Sequence, residues 1–166
     1  LIQQKSFLGK EFLTWLWFRG ERDGDVRLGK GAPATVVLFT GLGCPVTKAY
    51  APLLEELTRP WRAQKVAVLV VSPAVLDTPA ALRAWGESHG WTFRVALDRG
   101  FALTRALGGR RTADAFLIDR EGKLRYRGPI NDQYGINLRL KAPRTHYLDD
   151  AIQDVLAGRE LRGDSA

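Results

Sequence analysis

The stretch Val36-Val37-Leu38-Phe39-Thr40-Gly41-Leu42-Gly43-Cys44-Pro45-Val46-Thr47-Lys48 decides how the rest of the chain is read. Its first half, Thr35 to Thr40, is β-branched and apolar, which predicts a strand buried on both faces, punctuated by Gly31, Pro33 and Gly41. A short glycine-bearing loop then delivers the chain's single cysteine to a helix start. Pro45 suits the first helical position, where its missing N–H is not needed. The spacing predicts a helix from Cys44 to about Arg59, kinked at Pro52, with Val46, Tyr50, Leu53, Leu54 and Leu57 on its apolar face.

Working outward, Lys65 to Ser72 reads as a second buried strand. Asp77 and Thr78 before Pro79 form a helix start, and His89-Gly90 a helix stop. Phe93 to Leu97 is a short strand, and Asp98 opens a short helix that ends at Gly108-Gly109. Ala113 to Asp119 and Lys123 to Arg127 form a hairpin around Arg120-Glu121-Gly122. Residues 128–144, with Pro129, Gly135 and Pro143, read as an extended loop. Thr145 is placed to cap a last helix with the stripe Leu148, Ile152, Val155 and Leu156, ended by Gly158. This order predicts an α/β layer fold in which parallel strands come first and an antiparallel hairpin forms one side of the sheet.

The first residues are read less sharply. Phe7 to Phe18 is apolar on nearly every side, so a buried strand and a buried helical turn both stay open. Asp23-Gly24 predicts a turn whose second arm is Asp25 to Leu28. The domain plan is an N-terminal extension over 1–30 carrying the aromatic run, one domain over 31–160, and a tail over 161–166.

At 166 residues, 45% hydrophobic and 26% charged, the composition is that of a single globular domain with a real core. No stretch approaches the roughly 18 apolar residues of a membrane span, and no export signal is visible. A start at Leu1 and the lack of methionine are what a processed form or fragment would show, so the compartment, bacterial cytoplasm or periplasm, stays open. The net charge of +7 favours acidic partners. The arginines are scattered, however, and no nucleic-acid motif accompanies them, so a solvated basic surface is expected rather than a nucleic-acid site. One cysteine excludes an internal disulfide and a cysteine-rich zinc site. His89 and His146 fall at helix ends away from it, so neither a metal nor another cofactor is expected.

The element order, with a cysteine at the end of the first buried strand, resembles the thioredoxin-like fold, a central mixed sheet flanked by helices with a C-terminal hairpin and closing helix. More narrowly it resembles the redoxin, or AhpC/TSA-like, branch related to the peroxiredoxins, with a Cys-x-x-Thr motif at Cys44 and Thr47. The segments that carry the likeness are Phe39 to Pro52, Val70-Val71-Ser72-Pro73, Leu97-Asp98, Ala115 to Lys123, and Tyr126-Arg127-Gly128 through Asn131-Asp132-Gln133-Tyr134. The resemblance implies a bacterial thiol oxidoreductase with a part in redox homeostasis, either thiol–disulfide exchange or a peroxiredoxin-like antioxidant activity. Cys44, Thr47 and Arg111 would be its catalytic residues, and Gly43, Pro45, Thr112 and Ala113 its substrate-binding ones. The chain departs from the family pattern in three ways. Thr47 replaces the second cysteine of a dithiol site. Val37 and Gly41 stand where the peroxidase Pro-x-x-x-Thr-x-x-Cys has proline and threonine. Ala113 stands where redoxins usually place a cis-proline.

The chemistry these residues permit is that of one thiol. The thiolate is the nucleophile, and a free cysteine ionises near pH ~8.5. At a helix start, free N–H groups and the helix dipole would stabilise it. Thr47 is at helical spacing to donate to the sulfur, and Lys48 or Arg111 could add positive charge. Such a thiol could attack a disulfide or a small-molecule peroxide, with an external thiol or a partner protein resolving the product. The alternative is a redox-inactive thioredoxin-like module that binds a protein, with Cys44 a small buried hydrophobe.

Overall fold

The computed structural model describes residues 15–16 and 31–161. The expected turn at Asp23-Gly24 and its arm Asp25 to Leu28 lie outside the described residues. From the Phe7 to Phe18 run, Trp15–Leu16 (β1) is described, as a strand.

The strand Ala34–Phe39 (β2) is buried along its whole length, as its unbroken apolar run requires. It lies between Ala67–Ser72 (β3), parallel to it, and Ala115–Asp119 (β5), antiparallel. Arg94–Leu97 (β4) pairs parallel with β3, β1 pairs antiparallel with β4, and Leu124–Gly128 (β6) closes the other edge against β5. The six-stranded order is β1-β4-β3-β2-β5-β6. Parallel strands followed by an antiparallel hairpin are what the sequence predicts.

Side chains alternate across this sheet. Val36, Leu38, Val68 and Val70 face one core with Tyr50, Leu54, Trp61, Leu82 and Ile152 from the helices. Val37, Phe39, Leu69 and Val71 face the other, with Leu103 and Leu107 of the helix Ala102–Leu107. Each fully buried side chain of this size contributes about 1.5–3 kcal/mol relative to exposure.

The helix after Cys44 comes in three pieces: Pro45–Tyr50 (α1), a 3₁₀ turn Ala51–Leu53, and Leu54–Ala63 (α2). The break falls at Pro52, where a kink was expected, but the helix continues past Arg59 through Pro60 to Ala63. Its inward face also differs, being Thr47, Tyr50, Ala51, Leu54, Thr58 and Trp61. Val46 and Leu57 are only partly buried. Three residues wound at about 120° rather than about 100° each turn the phase by roughly 60°. That rotation replaces Leu57 by Thr58 and brings Trp61 inward.

Pro79–Ser88 (α3) starts as expected, with the Thr78 hydroxyl accepting from Ala81 N–H at 3.2 Å. Ala102–Leu107 is α4. Asp98 lies ahead of it and caps it at a distance, accepting from the N–H groups of Leu103 and Thr104. The last helix, Tyr147–Leu156 (α5), corrects an expectation: its N-cap is His146, and no side chain caps it. Thr145 is not free to do so, because Asp132 accepts from the N–H groups of Arg144 and Thr145 and holds that turn outside the helix. The stretch 128–144 also holds more than a loop. Tyr134–Gly135 (β7) and Leu138–Arg139 (β8) pair as a small hairpin, with Asn137 in the left-handed region at its turn. Two-residue strands are too short for an alternation to be read.

Candidate active site

Cys44 is the N-cap of α1, half-buried, with extended backbone (φ −84°, ψ 122°). Its N–H donates to Gly41 O at 3.0 Å, closing the loop that leaves β2, and its carbonyl accepts from Lys48 N–H at 3.0 Å in the first helical turn. Burial by itself pushes the thiol's pKa up. The Thr112 hydroxyl and the N–H groups of Thr47 and Val46, all aimed at the sulfur, outweigh it and bring the thiol below its ordinary value. The Thr47 hydroxyl acts on the sulfur least. Its single proton has better acceptors in Gly41 O at 2.7 Å and Cys44 O at 3.1 Å. Thr47 is buried and ties the loop to the helix.

Thr112 arrives from the loop before β5, and this loop is fixed at both ends. Asp114 accepts from the N–H groups of Arg110 and Arg111 at 3.1 and 3.0 Å. Ala113 N–H donates to Phe39 O at 2.9 Å, and Phe39 N–H to Asp114 O at 2.8 Å, so the loop is fastened to the end of β2. Ala113 pays for this with a φ of 77°, a left-handed conformation that an L-residue adopts at a cost of roughly 1–2 kcal/mol. The methyl of Thr112 lies 3.2 Å from where a Cβ on Gly41 would stand, so a side chain at position 41 and Thr112 compete for one space.

The fold therefore brings Cys44, Thr47, Thr112 and Ala113 together. Gly43 and Pro45 are exposed beside the sulfur in sequence, Gly43 with open space where a Cβ would be. Arg111 and Lys48 are exposed as well, and neither is among the groups that shift the Cys44 thiol.

Sequence reasoning did not single out Ser72 and Asp77. Asp77 is buried, accepts Leu42 N–H at 3.1 Å and the Ser72 hydroxyl at 2.5 Å, and so braces the Cys44 loop from the end of β3. The signal was a carboxylate next to the Thr78 cap, a residue readable only as part of a helix start. Among the described residues no group of three or more His, Cys, Asp or Glu side chains is placed to hold a metal ion. No helix among them is long and apolar enough to cross a membrane.

A mixed sheet with a cysteine at the β2–α1 junction and a tethered loop facing it defines a thioredoxin-like α/β protein. The Redoxin family model matches residues 23–137, and the chain belongs to that family, whose chemistry is redox-related. Solved structures agree on the fold. An uncharacterized conserved protein from Geobacillus kaustophilus is similar at a TM-score of 0.79 and 20% identity, over 93% of this chain and 84% of that one. A hypothetical protein from Sinorhizobium meliloti 1021 is similar at a TM-score of 0.78 and 23% identity, over 95% and 91% of the two chains. A thioredoxin-like protein solved in its oxidized form is similar at a TM-score of 0.63 and 21% identity, over 95% and 96%. No curated protein matches the chain at a significant level.

Proposed function

We propose that this protein is a monothiol oxidoreductase with Cys44 as its nucleophile. One observation carries the reading: hydrogen-bond donors from α1 and from Thr112 converge on a half-buried sulfur and favour its thiolate. The Cys44 thiolate attacks one sulfur of a partner disulfide. A Cys44–partner disulfide forms as the partner's own S–S bond breaks, and the second partner sulfur leaves as a thiolate. No other cysteine exists in the chain to resolve the product. An external thiolate must attack the mixed disulfide, taking the partner sulfur and returning Cys44 as thiolate. Towards a peroxide the same sulfur would take one oxygen, becoming a sulfenic acid as the O–O bond breaks and the other oxygen leaves as hydroxide or alkoxide. Gly41, in place of the peroxidase threonine, favours the disulfide over the peroxide as substrate. Thr47 orders the loop, and Thr112 supplies the side-chain donor. Arg111 and the main chain at Gly43, Pro45 and Ala113 border the approach to the sulfur.

The test is turnover of a small disulfide with excess glutathione, for the protein and its Cys44→Ser variant. Turnover that vanishes in the variant supports the reading. Turnover equal in both, or none together with a thiol that reacts like an unperturbed one, would overturn it and leave a thioredoxin-like binding module with a structural cysteine. That second reading is favoured by the single-cysteine count itself.

A further inference from the structure

Beside the Cys44 loop lies an apolar ledge with no internal partner. Val75 is 69% exposed and Leu76 92%, in the turn between β3 and α3. Phe101, 39% exposed, stands in the next turn along the sheet end. Isolated apolar residues on a surface are ordinary, but these three belong to segments in contact. Arg99 donates to Val75 O at 3.0 Å and to Asp77 O at 2.7 Å, joining the Phe101 turn to the Val75 turn. Asp77 in turn holds Leu42 N–H at 3.1 Å, and a Cβ on Gly41 would lie 3.7 Å from Ala74 Cβ. The Phe101 turn, the Val75–Leu76 turn and the thiol loop are thus tied to one another through Arg99 and Asp77. Phe101 is held at φ 60°, a strained conformation for an aromatic residue.

The surroundings are positive. Arg99 lies against the Val75–Leu76 turn itself, and Arg110, Arg111 and Lys48 are exposed on the segments that carry Thr112 and Cys44; none of the four is ion-paired with a carboxylate among the described residues. The nearby carboxylates Asp77 and Asp98 are buried and engaged with local N–H and hydroxyl groups. A second copy of this chain would bring the same cations and a net charge of +7 against them.

We propose that the ledge docks an extended, acidic segment of a partner protein, one apolar side chain lying on Val75 and Leu76 and its carboxylates facing the surrounding cations. The partner's reactive sulfur is thereby held at Cys44. The redox half of this statement rests on the reading of Cys44 as a reactive thiol; the docking half does not.

Both halves are testable with the full chain. A labelled peptide with a central leucine flanked by glutamates, and serine in place of cysteine, measures docking by fluorescence anisotropy. A lysine-flanked copy is the control. The same glutamate peptide carried as a disulfide with a chromogenic thiol measures exchange, and a small uncharged disulfide measures Cys44 alone. The glutamate peptide should bind more tightly than the lysine copy, and less so at high salt. The Val75→Ser/Leu76→Ser variant, altered only at exposed positions, should lose about tenfold in peptide binding and exchange, while its rate with the small disulfide is unchanged. Equal binding of both peptides, or of both proteins, would overturn the proposal. So would self-association that the variant abolishes, which would give the ledge to a second copy. Binding to anionic vesicles but not to peptide would give it to a membrane surface and overturn the proposal too. A protein that binds the peptide but leaves the small disulfide intact would support docking and refute the redox reading. One that turns over the small disulfide and ignores the peptide would refute docking alone.

Discussion

The Thr112 hydroxyl helps bring the Cys44 thiol below its ordinary pKa, while the Thr112 methyl lies 3.2 Å from where a Cβ on Gly41 would stand. The two residues are far apart in sequence, and the contact depends on Ala113 being tied to Phe39 O. A hydroxyl from the loop before β5 therefore serves the sulfur, and a side chain at 41 would crowd the residue that carries it.

Replacing that hydroxyl tests its role. Thr112→Val keeps the shape and removes the donor, so the thiol should ionise at higher pH. Its alkylation rate at neutral pH should fall on the order of five- to tenfold, and Thr112→Ser should restore it. Thr47→Val should behave differently. It strips the donor from Gly41 O and should cost about 1–2 kcal/mol in urea unfolding with a smaller change in the pH profile.

The pH profile has a definite sign. Burial raises the Cys44 thiol, the donors around it more than reverse this, and the net direction is down. Maleimide reactivity of the folded protein should therefore rise at lower pH than that of the same thiol in denaturant. By linkage, the stabilisation from these donors is fully present above the unfolded thiol's pKa and is lost as pH falls through the folded one.

Putting the peroxidase residue back should not create a peroxidase. A Cβ at position 41 meets Thr112 Cγ2 at 3.2 Å, so Gly41→Thr crowds the residue whose hydroxyl serves the sulfur. We expect a loss of about 1–3 kcal/mol from overpacking and a slower Cys44, read by urea midpoint and alkylation rate. Unchanged stability together with a faster thiol would contradict this.

The family proline should likewise be harmful at 113. Proline needs a φ near about −65° and has no N–H, whereas Ala113 sits at 77° and donates to Phe39 O at 2.9 Å. Ala113→Pro should cost at least about 3 kcal/mol. Ala113→Gly should gain about 1 kcal/mol by relieving the left-handed backbone. Thermal unfolding of both variants checks the pair.

A last prediction concerns the far end of α1. The Tyr50 hydroxyl donates to Asn131 Oδ1 at 2.6 Å, and its ring meets Tyr134 edge-on at 4.9 Å, docking the β7–β8 hairpin. Tyr50→Phe should cost about 1 kcal/mol. Burial pushes the Tyr50 phenol up from 10.0 to about 12, so the native state holds this proton more tightly than the unfolded chain. Stability from this source is whole below pH 10 and is lost between pH 10 and about 12. Tyr50→Phe should flatten that alkaline slope in unfolding measured across it.

Much of this could be read before any coordinates, because it is local. The strand Ala34–Phe39, the Cys44-Pro45 helix start, the Thr78 cap and the His89-Gly90 stop follow from β-branched runs, a proline and a capping hydroxyl acting within a few residues. The presence of a single cysteine was equally plain from composition. Other features were settled by residues distant in the chain. The inward face of α2 moved because a single 3₁₀ turn rotated everything after it. Thr145 stands outside α5 because its N–H is held by Asp132, 13 residues away. Among the hydroxyls, Thr112 lowers the Cys44 thiol more than Thr47, whose proton goes to Gly41 O. The sequence by itself determined that a lone cysteine opens a helix after a buried strand. Only the tertiary structure decided which hydroxyl reaches it and which loops border it, because hydrogen-bond partners are chosen by distance in space.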